Sequence, residues 1–263
     1  MEKINEQGKF EAGSPKARAA KYELAYDLHT HTKYSHGTGT VEDNVRQAMA
    51  KKLDYIAISD HGPGHLFYGI NREEIVNIRN DVEHMNVKYP KMNVKISVEA
   101  NTVKHGNGLD IKPEEFEEFD FIIAGFHFGM FDCNSIRNWL WSHGIKIGEK
   151  KLRESNTKMI VNALRSNEIA ILTHPGDKGP FDIKRLAVEC ARTGTLLEIN
   201  GRHGHLTVDE IRIAMQVADV KFIISSDAHC PEMVGNPGDA LERAFEAGLD
   251  PSRIVNIRPK GYL

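Results

Sequence analysis

Short apolar runs recur along the chain and alternate with longer segments of helical spacing. The runs are Tyr22–Leu28, Ile56–Ile58, Val94–Val98, Phe121–Ile123, Ile169–Leu172, Leu196–Ile199 and Phe222–Ile224. Their shortness and β-branched content predict buried strands. Between the first two, Thr40-Val41-Glu42-Asp43 has the form of a capping box opening a helix through Val45, Ala48 and Met49. Ile75, Ile78, Val82 and Met85 predict a helix over 72–88 that Pro90 stops. Further helices are predicted over 113–118, 148–166, 183–193, 207–219 and 238–248. Strand followed by helix, repeated, calls for parallel strands joined by right-handed crossovers. Strands ending near 29, 60, 99, 126, 173, 200 and 226 favour a seven-stranded or incomplete α/β barrel. An eighth run, over 253–257, has no helix after it.

Each run ends in residues that bind metals. His29 and His31 close the first, Asp60-His61 the second and Glu99 the third. His127, His174 and Asn200 follow the next three, and Asp227-Ala228-His229 the last. In a barrel all strand C-termini gather on one face, where barrel enzymes keep their sites. Residues far apart in sequence are therefore expected in one pocket. One residue between His29 and His31 puts both imidazoles on the same side of an extended segment.

Composition narrows the chemistry. The 263 residues fit one barrel domain over 22–263, preceded by a loosely attached N-terminal extension, 1–21, with a Gly-Ser-Pro turn at 13–15. A net charge of −3 gives no basic footprint and argues against a nucleic-acid partner. Cys133, Cys190 and Cys230 form no C-x-x-C pair, so neither a disulfide framework nor a thiolate zinc site is expected. That usage, a polar amino terminus without a signal-type core and the lack of long apolar stretches predict a cytoplasmic protein without a membrane partner. Histidine stands out at 13 residues. His29, His31, His36, His61, Glu99, His127, His174, Asp227 and His229 form a mixed imidazole and carboxylate set. Such a set suits zinc, manganese or iron better than calcium or magnesium. With one carboxylate bridging, it serves three divalent ions and leaves positions open for water and substrate.

Tyr26-Asp27-Leu28-His29-Thr30-His31-Thr32, Ile58-Ser59-Asp60-His61-Gly62-Pro63-Gly64, Val98-Glu99-Ala100-Asn101, Ile123-Ala124-Gly125-Phe126-His127, Leu172-Thr173-His174-Pro175-Gly176, Leu197-Glu198-Ile199-Asn200 and Ser225-Ser226-Asp227-Ala228-His229 together resemble the PHP (polymerase and histidinol phosphatase) family, over about residues 24–257. The resemblance implies a distorted (β/α)7 TIM-like barrel with a trinuclear metal centre and phosphoesterase activity. Zinc is the usual metal, with manganese and iron as substitutes. Carried over by position, it implies that His29, His31, Glu99 and Asp227 surround a first metal. Glu99 would bridge to a second held by His127 and His174, and His36, His61 and His229 would hold the third.

The expected reaction is hydrolysis of a small phosphorylated metabolite, with histidinol phosphate one candidate. A water bridging two metals, its pKa lowered toward about 7, would supply the attacking hydroxide. Glu99 and Asp227 are the expected catalytic groups, Asp227 also as proton carrier. Arg202, Lys178 and Lys104, on loops after strands, are candidates for gripping phosphate. Asp60 is a candidate for orienting a neighbouring ligand imidazole. The segment 128–149, with Trp139 and Trp141, reads as a loop inserted over the site. Loops around Phe67, 131–141 and Arg202 are expected to set specificity. Two alternatives stay open: a C–N hydrolase of the amidohydrolase type, and a non-catalytic metal-binding domain.

Overall fold

The computed structural model describes residues 13–130 and 134–261. Most of the expected N-terminal extension (1–12), and Phe131 to Cys133 at the start of the expected specificity loop, lie outside the described residues. Six parallel strands form one sheet in chain order: β2 (Tyr55–Ile58), β3 (Asn93–Asn101), β4 (Phe121–Gly125), β5 (Ile171–Leu172), β6 (Leu196–Asn200) and β7 (Phe222–Ser225). The gap between the edge strands is spanned by residues 27–31. Asp27 bridges to Ile56 of β2 and Thr30 to Ala228 after β7, both in parallel. A seventh, irregular stave thus closes a distorted TIM-like barrel, as the alternation of runs predicts.

The first apolar run is divided between two jobs. Its beginning, β1 (Tyr22–Leu24), pairs antiparallel with β8 (Ile257–Pro259) outside the barrel. Its end becomes the seventh stave. The break is fixed by Asp27, whose fully buried carboxylate accepts from the backbone of Ser226 (3.2 Å) and Gly235 (2.9 Å) and from the Ser226 hydroxyl. Residues 13–21 are not all loose: α1 (Pro15–Ala19) docks on α8 (Ala240–Ala247), with the Arg18 guanidinium 4.7 Å from the Phe245 ring centre.

Helices form where the periodicity places them. Thr40 and Asn71 cap α2 (Val41–Ala50) and α3 (Arg72–Lys88) with reciprocal capping boxes. In α6 (Ile183–Thr193) the buried positions Ile183, Leu186, Ala187 and Cys190 make one apolar stripe against the sheet. Truncating Leu186 there removes about 2–5 kcal/mol. The segment 113–118 is a 3-10 turn, and α7 (Val208–Met215) stops short of the expected 219. The expected inserted loop carries a helix of its own, α4 (Ser135–Ser142), followed by α5 (Glu149–Ser166).

Strand parity decides what faces the barrel axis. Val94, Ile96, Val98 and Ala100 of β3 join the outer core under the helices, which leaves Glu99 and Asn101 pointing inward. Leu28, Ala57, Ile123, Ile171 and Ile223 plug the barrel interior beneath them. The polar inward positions therefore stack at the C-terminal mouth, above an apolar floor.

Candidate metal centre

The mouth opens into a cavity of about 350 Å³. Its lining includes His36, His61, Glu99, His127, His174, Asp227 and His229, while His29 and His31 are fully buried beside it. All nine candidate ligands from the sequence thus converge on one place. Arg202 and Lys178 also line the cavity. Lys104, exposed on the loop after β3, is not among the lining residues.

Distances within the cluster are those of a ligand shell. His29 Nε2 lies 3.1 Å from His31 Nε2, 3.3 Å from Glu99 Oε2 and 3.7 Å from Asp227 Oδ1. His31 Nε2 is 3.5 Å from the same Glu99 oxygen and 3.4 Å from Asp227 Oδ1. Metal–nitrogen and metal–oxygen bonds of about 2.0–2.1 Å in a tetrahedron require ligand separations of about 3.3–3.4 Å. The other Glu99 oxygen, Oε1, faces His174 Nε2 (2.9 Å) and His127 Nε2 (3.4 Å). Glu99 therefore presents its two oxygens to two different sets of imidazoles, the arrangement of a bridging carboxylate.

Four overlapping trios have ligand atoms close enough for one cation: His29, His31 and Asp227; His29, Glu99 and His174; His61, Glu99 and His127; and His31, His61 and His229. The first agrees with the set the resemblance implies. The last contains His31 where His36 was expected. His36 joins none of these trios and lies stacked at 13° on the His61 ring, with His229 edge-on at 4.1 Å.

The residues fit metal ions on chemical grounds. His31 Nδ1, His36 Nδ1, His61 Nδ1 and Glu99 Oε2 are buried with no hydrogen-bond partner. His61 Nδ1 and Glu99 Oε2 even lie 3.1 Å apart without forming one. Buried polar atoms left unsatisfied are costly unless a cation or another partner reaches them.

Protonation states agree. Burial resists charge on Glu99 and Asp227, but His29 and the imidazoles around it outweigh burial and hold both well below the usual carboxylate range. Burial, then neighbouring imidazoles, pushes His31 well below its ordinary value, and His36 down to about 3. Burial likewise takes His127 to about 3 and His229 to about 4, against the pull of Glu99 and Asp227 respectively. His29 and His174 are the exceptions: burial opposes their charge, yet Glu99, Glu198 and Asp227 raise His29 well above normal and Glu99, with Asp227 and Glu198, raises His174 as well. Ionised carboxylates and neutral imidazoles are the forms that bind divalent ions. His174 (φ +26°) and Asp227 (φ +50°) also hold left-handed backbone conformations, a strain that clusters at functional sites.

Several residues of the site carried no ligand signal in the sequence. Glu198, fully buried, accepts from His29 Nδ1 (2.8 Å), the His174 backbone N–H (2.7 Å) and the Asn200 amide (2.9 Å). Asn101 Oδ1 meets His127 Nδ1 at 2.7 Å, and its amide donates to Asp110 Oδ2 at 2.5 Å. Both histidines are thereby fixed as Nδ1–H tautomers with Nε2 free for metal. His203 Nε2 lies 3.3 Å from Asp227 Oδ2. Asp60 does not touch a ligand imidazole as expected. It accepts from Thr32 N (2.8 Å), Thr32 Oγ1 (2.6 Å) and Ser35 Oγ (2.5 Å) and so shapes the loop between His31 and His36.

The PHP domain family model matches residues 27–198, well over half of the chain. This chain belongs to the PHP domain family. Among curated relatives, a probable phosphatase of Shewanella frigidimarina is 28% identical over 251 residues, covering 90% of each chain. A probable phosphatase of Thermoanaerobacter pseudethanolicus is 29% identical over 248 residues, covering 89% of this chain and 90% of its own. The crystal structure of Lactococcus lactis histidinol phosphate phosphatase, complexed with zinc, L-histidinol and phosphate, shares this PHP fold. Its TM-score is 0.56 at 15% identity, covering 86% of this chain and 94% of that one. No described helix is long and apolar enough to cross a membrane.

Proposed function

We propose that this PHP domain is a metal-dependent phosphomonoesterase acting on a small phosphorylated metabolite, with a centre for three divalent ions. The convergence of nine imidazole and carboxylate groups on one cavity, with Arg202 and Lys178 in its wall, carries the reading. His29, His31, Glu99 and Asp227 would hold one ion, Glu99, His127 and His174 a second, and His36, His61 and His229 a third. Zinc suits this donor set first, manganese or iron next. Such ions, when bound, supply Lewis acidity and bring the pKa of a water near neutrality.

The chain's own residues do the rest. Arg202, whose Nη1 lies 3.1 Å from His229 Nε2 and 3.9 Å from Asp227 Oδ1, presents a fork of donors to phosphoryl oxygens at the cavity edge. Lys178 adds a second positive charge. Asp227 directs Oδ1 at the imidazole cluster and Oδ2 toward His203 and Asn200. Oδ2 is the atom suited to take the proton of the attacking water and return it to the leaving alkoxide as the P–O bond breaks. Glu198 and Asn101 keep the ligand rings in register.

An amidohydrolase reading would place a bridging lysine at the end of the fourth strand, where this chain has His127. The deciding experiment is elemental analysis of the purified protein together with a panel of phosphomonoesters that includes histidinol phosphate. Bound zinc, manganese or iron with phosphate release is the expected result. Bound metal with amide hydrolysis and no phosphate release would overturn it.

A further inference from the structure

The loop that follows β6 gives the cavity two side chains and gives three carbonyls to a buried arginine. Arg202 and His203 both line the cavity. They address Asp227 through its two oxygens: Arg202 Nη1 lies 3.9 Å from Oδ1, and His203 Nε2 lies 3.3 Å from Oδ2. Arg243 of α8 is 8% exposed and is not among the lining residues. Its Nη2 donates to Asn200 O (2.6 Å) and His203 O (3.2 Å), and its Nε to Leu206 O (3.0 Å). Nη1 donates to the Asp239 carboxylate. One planar group thus ties together the start, middle and end of the loop, and two of its three carbonyl partners flank Arg202.

The loop's own bonds give it shape. Asn200 Oδ1 accepts from Arg202 N (2.9 Å) and His203 N (2.8 Å), and Asn200 N donates to His205 O (2.8 Å). Gly201 N donates to Ser225 O of β7 at 2.8 Å, and Gly238 packs directly on the Gly201 carbonyl, where no side chain fits. Arg243 adds the tie to α8, whose Leu241, Ala244 and Phe245 sit in the core and make it a firm base. A guanidinium is a demanding brace in such a place, because taking it out of water is unfavourable unless its donors are met. Here they are met by the backbone of the loop that carries Arg202.

From this geometry we infer that Arg243 is a positioning residue for the anion grip: by holding the carbonyls of Asn200, His203 and Leu206 it sets where the Arg202 side chain stands over the cavity. The inference rests on the phosphomonoesterase reading for the identity of the anion. Arg243 acts through Arg202 and does not itself touch the ligand. A guanidinium has enough donors in a fixed fork to serve three carbonyls and a carboxylate at once. An ammonium on a flexible stem keeps the charge but not that geometry. Small displacements of a group that grips a reacting phosphoryl are felt strongly, even when the altered residue is remote from the chemistry.

The test follows inorganic phosphate binding by calorimetry on zinc-loaded full-length protein, for the unaltered chain, Arg243→Lys, Arg202→Ala and the double variant. Arg243→Lys is expected to weaken phosphate binding about 3- to 30-fold with zinc content unchanged. In the Arg202→Ala background the same change is expected to weaken it by less than about twofold, because the side chain it acts through is gone. A brace with a merely structural role would lower Tm and give the same factor in both backgrounds. Equal factors, undiminished affinity in Arg243→Lys, or no phosphate binding by the unaltered protein would overturn the inference. If Arg243→Lys does not fold, Asp239→Asn carries the same comparison, since it loosens the Nη1 anchor at an exposed position and leaves the arginine in place. Its expected loss is about two- to fivefold, again only with Arg202 present. The expected binding pattern with no phosphomonoester hydrolysed supports the role of Arg243 and sinks the phosphatase reading. Hydrolysis with equal factors does the reverse.

Discussion

His29 and Glu198, distant in sequence and both closed to solvent, meet through a 2.8 Å hydrogen bond from Nδ1 to Oε1. The other Glu198 oxygen accepts from His174 N and Asn200 Nδ2, so both ends of the carboxylate face donors. Glu198→Gln must turn its NH₂ toward one of them. Metal affinity or kcat/KM is expected to fall about 10- to 100-fold, measured by chelator competition and by steady-state kinetics. Unchanged metal affinity would show that Glu198 only packs.

Asp110 accepts three hydrogen bonds, from Asn101 N (2.8 Å), Asn101 Nδ2 (2.5 Å) and Gly64 N (2.8 Å). Gly62 and Gly64 leave room for it: a Cβ on Gly62 would lie 2.5 Å from Asp110 Oδ1. Asp110→Asn sets an amide against these donors, a loss of about 1–3 kcal/mol. Thermal unfolding should drop by roughly 2–4 °C per kcal/mol, and metal content should fall with it as Asn101 lets go of His127.

Arg202 and Lys104 are both cations on loops after strands, but only Arg202 lines the cavity. Arg202→Ala should lower kcat/KM for a phosphomonoester about 10- to 100-fold, as expected for losing charged hydrogen bonds of about 1.5–3 kcal/mol. Lys104→Ala should leave it within about twofold. Equal losses from the two variants would relocate the phosphate grip.

Stripping the protein of metal should abolish phosphate release and lower Tm. At free zinc 100-fold above Kd, one site contributes about 2.7 kcal/mol, roughly 5–10 °C for a domain of this size. Scanning calorimetry before and after zinc is restored reads this directly, and an unchanged Tm would speak against a metal seated among these groups.

Burial, aided by His61, takes His65 from the ordinary 6.5 down to about 4. Between those values the unfolded chain binds a proton at this position and the folded chain does not, so stability rises with pH across the window. The contribution is fully present above pH 6.5 and is lost as pH falls toward 4. His65→Gln should therefore unfold with a shallower dependence of Tm on pH between 4 and 6.5 than the parent, followed by circular dichroism. Parallel curves would mean that His65 titrates alike in both states.

Much of this architecture is legible in the sequence because each ligand follows an apolar run directly. Once seven runs are read as parallel staves, Glu99, His127, His174 and Asp227 must meet at one rim. Capping boxes at Thr40 and Asn71 fix helix starts in the same local way. Glu198 and Asp110 are harder because their partners are remote: Glu198 sits inside an apolar run, and only barrel closure brings His29 to it. Parity is the clue that was present, since Glu198 shares the inward face of β6 with Asn200. Lys104 is the opposite case: it follows a strand as Arg202 does, yet it is not among the residues lining the cavity. The division of the first run is hidden too, because β1 and the stave differ only in what they pair with.

The pairing of β1 with β8 reaches beyond architecture. β1 leads into the stave whose far end bears His29 and His31, so it lies at the foot of the barrel, and β8 lies beside it. Both flanks of the domain thus emerge on the side away from the cup. A fused neighbour, an affinity handle or a surface tether attached at either flank would leave the entrance clear, and joining the flanks to reopen the chain elsewhere would need only a short bridge.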